Sequence, residues 1–257
     1  MKVVFPILGV LAAIAIAVSL AWFYLVWSFR GGGEAVIEDR ALPPFSQIVI
    51  EGFADVTLVQ GDSETVRVEA AQKQLAGVRT KVSGGTLTIT QGASRSWWSG
   101  FFGGGGRGAR VRVTFRELEA IGASGAVKIR ADGLKADRLV VSASGATSLK
   151  IDGLDAKELS VSGSGAMKVE LAGRVAEQRV SISGAGDYRA ADLASEDARV
   201  SVSGAGRVVV QVEKTLKIGL SGAGAVEYIG NPKVTQRISG AGRVKRRDAS
   251  DAAHIVA

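Results

Sequence analysis

The stretch Ser183-Gly184-Ala185-Gly186 recurs, whole or in part, from the middle of the chain to its carboxyl end. Aligned on its last glycine, the motif marks seven positions at steps of 18 to 21 residues: Gly125, Gly145, Gly165, Gly186, Gly206, Gly224 and Gly242. A self-similar period near 20 residues is typical of a solenoid, in which each repeat buries its apolar side against its neighbours. We therefore expect these glycines to form a structural turn ladder.

Apolar and polar residues alternate on both sides of each marker glycine, as at Leu139 and Val141 before Gly145 and at Leu149 after it. This period of two predicts strands with one buried face. Six serines would form a ladder before the corner: Ser142, Ser162, Ser183, Ser203, Ser221 and Ser239. Polar positions after the corner would face water: Lys128, Ser148, Lys168, Arg189 and Glu227. The predicted fold is all-β, a single-stranded right-handed parallel β-helix.

An apolar run from Val3 to Phe29 opens the chain. It exceeds the ~20 residues that span a bilayer and the 7–15 of a signal-peptide core, and aromatic residues cluster at its end. We predict an uncleaved signal anchor over residues 1–30, with a cleaved signal peptide and secretion as the alternative. The expected location is the bacterial inner membrane, with residues 3–29 in the bilayer and the β-domain on the periplasmic side.

The remaining chain divides by composition into a linker (31–44), a repeat domain (45–247) and a tail expected to be disordered (248–257). Residues 92–109 interrupt the repeats with a glycine-rich loop that carries four aromatic side chains: Trp97, Trp98, Phe101 and Phe102. Exposed aromatic residues can contact membrane, glycan or a protein partner. The alternative is a flap that folds its aromatic side chains onto the repeats.

A set of ordered motifs accompanies the repeats. Phe45-x-x-Ile48, Gly52 and Asp55-Val56 open the domain, and Tyr228-Ile229-Gly230-Asn231-Pro232 closes it. Together with the Ser-Gly-Ala-Gly repeats, they resemble the auto-transporter adhesin head GIN domain family, a bacterial family of unknown function. The resemblance covers residues 45–247 and implies a β-helix-like solenoid, exported or tethered to the envelope. It implies no catalytic residues.

The residue inventory restricts the chemistry that the chain can perform. The sole histidine is His254 and cysteine is absent, so triad catalysis, thiol chemistry and a multi-histidine metal site are excluded, and no metal or cofactor is expected. The enzyme alternative is a polysaccharide lyase or glycoside hydrolase that uses four aspartates: Asp132, Asp137, Asp152 and Asp155. Because Asp132 and Asp152 each precede a glycine, we interpret them as turn residues.

The formal net charge is +7, or +5 without Lys2 and Arg30, and no aromatic-plus-basic platform suggests nucleic-acid binding. We therefore predict a membrane-anchored, non-enzymatic binding, adhesion or structural module of a bacterial envelope, with an envelope glycan or protein as its partner. The alternatives are the carbohydrate-active enzyme and an envelope signalling or stress partner that docks through its anchor. The ligand cannot be read from the sequence.

Overall fold

A computed structural model describes residues 35–91 and 109–247. The anchor predicted over 1–30, the four loop aromatics and the tail 248–257 lie outside these residues. The prediction of an all-β protein is confirmed for the described part, in which twelve strands belong to one sheet. No helix among the described residues is both long and apolar enough to cross a membrane.

The strands and the single short helix follow in chain order. They are β1 (Ala35–Ala41), β2 (Gln47–Gln60), β3 (Thr65–Ala71), α1 (Gln72–Leu75), β4 (Val78–Ser83), β5 (Thr86–Gln91), β6 (Arg110–Phe115), β7 (Ala120–Asp132), β8 (Lys135–Gly204), β9 (Arg207–Gly222), β10 (Ala225–Ile229), β11 (Lys233–Gly240) and β12 (Arg243–Arg246). β7, β8 and β9 pair in parallel in sequence order, and β9 pairs with both β10 and β11. Most of the sheet therefore consists of parallel neighbours.

Parallel pairing stacks residues about one repeat apart. Ser124 pairs with Ser144, and Ser203 pairs with Ser221. We call each strand–corner–strand set a row, and residues that occupy the same place in successive rows a column. Neighbouring rows lie ~4.8 Å apart, as in any sheet.

The corner of each row is a glycine with positive φ: Gly52, Gly125, Gly145, Gly165, Gly184, Gly204, Gly222 and Gly240. At Gly145, where φ is 87°, an added Cβ would lie 2.6 Å from the carbonyl oxygen of Gly125. Only a residue without a side chain fits, because the backbone of each corner rests directly on the next. We call these residues the corner glycines.

The predicted turn ladder is correct at Gly125, Gly145 and Gly165 and wrong at Gly186, Gly206, Gly224 and Gly242. The step after Gly165 is 19 residues, to Gly184, rather than 21, to Gly186. The segment shared by all seven repeats is Ser-Gly-Ala, and its glycine supplies the corner. Gly186, Gly206 and Gly224 lie two residues later, without positive φ, and are buried.

This shift also splits the predicted serine ladder into two columns. The Ser142 and Ser162 hydroxyls lie 3.3 Å apart in one column. The other column directly precedes the corner glycines and contains Ser124, Ser144, Ser164, Ser183, Ser203, Ser221 and Ser239.

Two interior columns flank the corner and compete for one volume. In one row Gly163 precedes the corner and Met167 follows it, whereas in the next row Ile182 precedes it and Gly186 follows it. A Cβ added at Gly186 would lie 2.6 Å from Ile182 Cγ2. In these rows a large side chain on one side is matched by a glycine on the other, which keeps the core filled without forcing the corner outward.

The amino-terminal end of the sheet is built from β2 and four shorter strands. β5 and β6 pair in parallel with the two halves of β2, so together they occupy the position of one row. β3 and β4 pair antiparallel with β6 and β5, and the β4–β5 hairpin turns at Gly84 and Gly85, both with positive φ, as expected for its type of turn.

The segment 31–44, predicted as a linker, contains β1, which pairs with β3. Arg67 on β3 donates two hydrogen bonds to the Asp39 carboxylate, at 2.6 and 2.9 Å. Arg40 also donates to the carbonyl oxygen of Val78, on β4. These contacts explain why part of this segment is a strand.

The core is one continuous apolar cluster with a short polar chain inside it. The Tyr188 hydroxyl donates to Gln178 Oε1 (3.2 Å), Gln178 Nε2 donates to Ser195 Oγ (2.6 Å), and Ser195 Oγ donates to the carbonyl oxygen of Gln211 (2.6 Å). Burial raises the pKa of Tyr188. Each side chain in this hydrogen-bonded series has a partner, so the series satisfies polar groups that would otherwise be costly to bury.

Candidate ligand-binding groove

The residues that follow the corner glycines form an exposed column, which is alanine in every row except the first. It contains Phe53, Ala126, Ala146, Ala166, Ala185, Ala205, Ala223 and Ala241. The corner turns the chain so that this position leaves the core, and alanine adds only a methyl group. The result is a smooth apolar strip that crosses successive rows.

This strip is the floor of an open groove with a volume of about 980 Å³. The groove runs from Phe53 to Ala205 across six rows, and its wall carries the residues two positions beyond the floor, such as Lys128 and Ser148. Gln91 and Ala109, which flank the segment 92–108, both line its amino-terminal end. The groove is therefore a feature of the repeats themselves.

The wall column contains, in row order, Arg110, Asp55, Lys128, Ser148, Lys168, Asp187, Arg207, Ala225 and Arg243. Both carboxylates are already paired, because Arg130 contacts Asp55 at 2.8 Å and Arg189 contacts Asp187 at 2.6 Å. The wall therefore presents cations whose charge its own carboxylates do not neutralise.

The described residues include three buried side-chain atoms without a hydrogen-bond partner, and all three belong to residues that line this groove: Gln91 Oε1, Thr147 Oγ1 and Asp187 Oδ1. Thr147 is only 4% exposed. Most buried polar atoms in proteins have a hydrogen-bond partner, so these three atoms are exceptions in the packed layer beneath the groove surface.

A second groove, of about 1250 Å³, lies among the strands away from the corners and is strongly charged. Oppositely charged residues that line it form ion pairs with each other: Lys157 contacts Asp137 at 2.8 Å, and Arg174 binds both oxygens of Asp155 at 2.7 and 3.1 Å. We call it the charged groove, and the first one the alanine groove. Most charges of the charged groove are paired within the protein; among its lining residues Glu117, Lys135 and Glu213 have no ion pair to another described residue.

The four aspartates of the enzyme alternative do not form one cluster. Asp137 and Asp155 line the charged groove, whereas Asp132 and Asp152 pair with each other across β7 and β8 and do not line it. The glycines that follow Asp132 and Asp152 have φ of 70° and 72°, as turn residues would. Hydrogen bonds from Arg174 lower the pKa of Asp155. A catalytic acid at neutral pH needs the opposite shift.

Among the described residues, no group of histidine, cysteine, aspartate or glutamate could hold a metal ion. Of the predicted contact residues, Trp97, Trp98, Phe101 and Phe102 lie outside the described part of the chain. The polar column predicted after the corner is correct at Lys128, Ser148 and Lys168. It continues through Asp187 and Arg207, not through Arg189 and Glu227, because the corner is Gly184.

Sequence reasoning did not identify the alanine groove. Its signal was present, since an alanine follows the corner glycine in all seven Ser-Gly-Ala copies. The alignment on the last glycine of each motif displaced this column in four of the rows. The groove could have been found by aligning on Ser-Gly-Ala.

These observations define an all-β protein of stacked parallel rows with an open groove along its corners. Its sequence matches the family described as "Putative auto-transporter adhesin, head GIN domain" over residues 44–232. The chain belongs to this family. The resemblance inferred from the motifs is thus confirmed.

Solved structures share the fold. A protein described as a "putative adhesin" from Bacteroides fragilis NCTC 9343 is 19% identical, with a TM-score of 0.76 over 83% of this chain and 97% of that one. A "putative adhesin" from Parabacteroides merdae ATCC 43184 is also 19% identical (TM-score 0.63, 84% and 98%). A "putative lipid binding protein" from Parabacteroides distasonis ATCC 8503 is 17% identical (TM-score 0.64, 84% and 98%). No curated protein matches the sequence.

Proposed function

We propose that this protein is a non-enzymatic binding or adhesion module, and that the alanine groove is its binding site. The observation that carries the proposal is the open, alanine-floored groove with unneutralised wall cations. The family's description and the names of two solved neighbours as adhesins support the same class of function.

The row-on-row parallel pairing supports the finer architecture that the sequence predicts, a single-stranded right-handed parallel β-helix. Such a rod presents the same shallow surface at each row, which suits extended ligands better than compact ones. We further propose that residues 3–29 anchor this rod in the inner membrane of a bacterium, with the β-domain on the extracytoplasmic side. An envelope glycan or envelope protein would be the partner, and nucleic acid would not.

The aromatic segment belongs to the same proposal. Because Gln91 and Ala109 line the groove, the chain that carries Trp97, Trp98, Phe101 and Phe102 starts and ends beside it. We expect these side chains to contribute contacts to a bound partner.

Binding of the full-length chain to bacterial glycans, peptidoglycan and anionic lipid vesicles tests the proposed function. We expect saturable binding to one class of surface, and weaker binding when all four loop aromatics are replaced by alanine. The absence of binding to every surface by a folded protein would contradict the proposal. Turnover of any glycan in the same samples would instead favour the enzyme alternative.

A further inference from the structure

The cations of the alanine groove have a regular spacing. Along the wall column they occupy every second row: Arg110, Lys128, Lys168 and Arg207 line the groove, and Arg243 continues the series beyond it. The rows between them hold Asp55, Ser148, Asp187 and Ala225. Since one row step is ~4.8 Å, successive cation positions lie ~10 Å apart along the whole column.

Two of the four cations that line the groove are not used by the described part of the protein. Lys168 pairs with Glu170 at 2.9 Å, and Arg110 lies 3.8 Å from Glu69. Lys128 and Arg207 are exposed and have no ion pair or side-chain hydrogen bond to any other described residue. They lie four rows apart, at either side of Lys168, so the free charge is spread along the groove rather than concentrated at one end.

We infer that the alanine groove binds an extended linear polysaccharide that carries one carboxylate for every two sugar units; this deepens the proposed function and rests on it. A disaccharide unit of an extended chain is about as long as two row steps, so each carboxylate can meet a cation. The apolar faces of the sugar rings can lie on the alanine methyl groups. Their hydroxyl groups can form hydrogen bonds with polar side chains of the wall, such as Ser148.

Charge and polarity favour such a glycan over a phospholipid. One phospholipid brings a single phosphate, which would meet one of the spaced cations, and its acyl chains would lie beside the remaining charged and polar wall side chains. A polyhydroxylated chain with periodic carboxylates offers charge and hydrogen bonds to the wall over the whole length of the groove.

The test uses the full-length chain and hyaluronan oligosaccharides of four to twelve sugars, in which a carboxylate alternates with a neutral sugar. The comparison ligands are uncharged chito-oligosaccharides of the same lengths, peptidoglycan and phosphatidylglycerol vesicles. The test variant is Lys128→Gln/Arg207→Gln. The control variant, Arg199→Gln/Lys217→Gln, removes two exposed cations from the same sheet that line neither groove.

We expect the affinity for hyaluronan to rise with length until the chain spans the ~29 Å from Arg110 to Arg207, and then to level off. The test variant should bind about tenfold more weakly, and the control variant should bind as the wild type does. Equal binding by the test variant, or equal affinity for chito-oligosaccharides, would overturn the inference. Binding to vesicles or peptidoglycan alone would overturn it and leave the proposed function standing, whereas no binding to any surface would overturn both.

Discussion

The two grooves of the domain are made by the same rows, yet they differ in the charges that they leave unpaired: of both signs in the charged groove, and only cations in the alanine groove. In the charged groove Arg174 and Lys157 each bind a facing aspartate, so the ion pairs are part of the surface. In the alanine groove Lys128 and Arg207 have no such partner among the described residues. Exposed ion pairs add little stability, and charges that the fold leaves unpaired remain available to a ligand. The comparison therefore identifies the alanine groove as the better candidate site.

The largest effect is expected where the corner glycines form the edge of the alanine groove. A Cβ at Gly165, where φ is 101°, would lie 2.7 Å from the carbonyl oxygen of Gly145, whereas a Cβ at Gly133, where φ is 70°, would meet no atom within 4 Å. We predict that Gly165→Ala lowers the free energy of unfolding by about 3 kcal/mol or more. Gly133→Ala should lower the free energy of unfolding by about 1–2 kcal/mol, because only the unfavourable backbone conformation of the alanine contributes.

Urea denaturation of the two variants measures this difference. Equal losses would contradict the conclusion that close stacking of the backbones, in addition to positive φ, requires glycine at the corner.

A smaller effect is expected from the polar chain that crosses the core between the two grooves. Tyr188→Phe removes the hydroxyl that donates to buried Gln178 Oε1, and it should lower the free energy of unfolding by about 1–3 kcal/mol. Because burial raises the pKa of Tyr188, the native state resists ionisation of this hydroxyl. The stability that it contributes is fully present below its unfolded pKa of about 10 and is lost as pH rises above that value.

The free energy of unfolding, measured by urea denaturation from pH 8 to 11, tests this prediction. The wild type should lose stability more steeply above pH 10 than Tyr188→Phe does. Parallel pH profiles for the two proteins would show that Tyr188 is not the group responsible.

The smallest effect is expected in the charged groove. Arg174→Gln should change the free energy of unfolding by less than about 1 kcal/mol, since the ion pair with Asp155 is exposed. It should also let the pKa of Asp155 rise toward its ordinary value, because Arg174 is the main cause of the lowered pKa. Carbon-detected NMR titration of the Asp155 carboxyl measures this shift, and an unchanged pKa would contradict the assigned cause.

Much of this architecture could be predicted from the sequence, because it depends on local signals. The period of two identified buried strands, and the repeat near 20 residues predicted stacked rows. The ordered motifs from Phe45 to Pro232 identified the family.

The exact register and the site could not be predicted in the same way. Gly184 and Gly186 are the same residue type, and the sequence does not state which of them turns the corner. That choice depends on the close approach of the backbones at Gly165 and Gly184 and on the volume of Ile182, which are properties of the packed core. The two-residue error then placed Arg189, rather than Asp187, in the wall of the groove.

The ion pairs of the charged groove also could not be predicted from the sequence pattern. Asp155 and Arg174 are 19 residues apart and lie in successive rows, so their contact depends on the same register. The sequence could identify the four candidate aspartates, but it could not show that Asp137 and Asp155 were neutralised by neighbours.

The most direct test of the central claim is to fill each groove in turn. Ala166→Tyr places a ring on the floor of the alanine groove, and Ala176→Tyr places the same ring in the charged groove at another exposed alanine. The measurement is equilibrium binding of each folded variant to the surface that the wild type binds most tightly. We predict a loss of at least about tenfold for Ala166→Tyr and no change for Ala176→Tyr. The reverse pattern would contradict the assignment of function to the alanine groove.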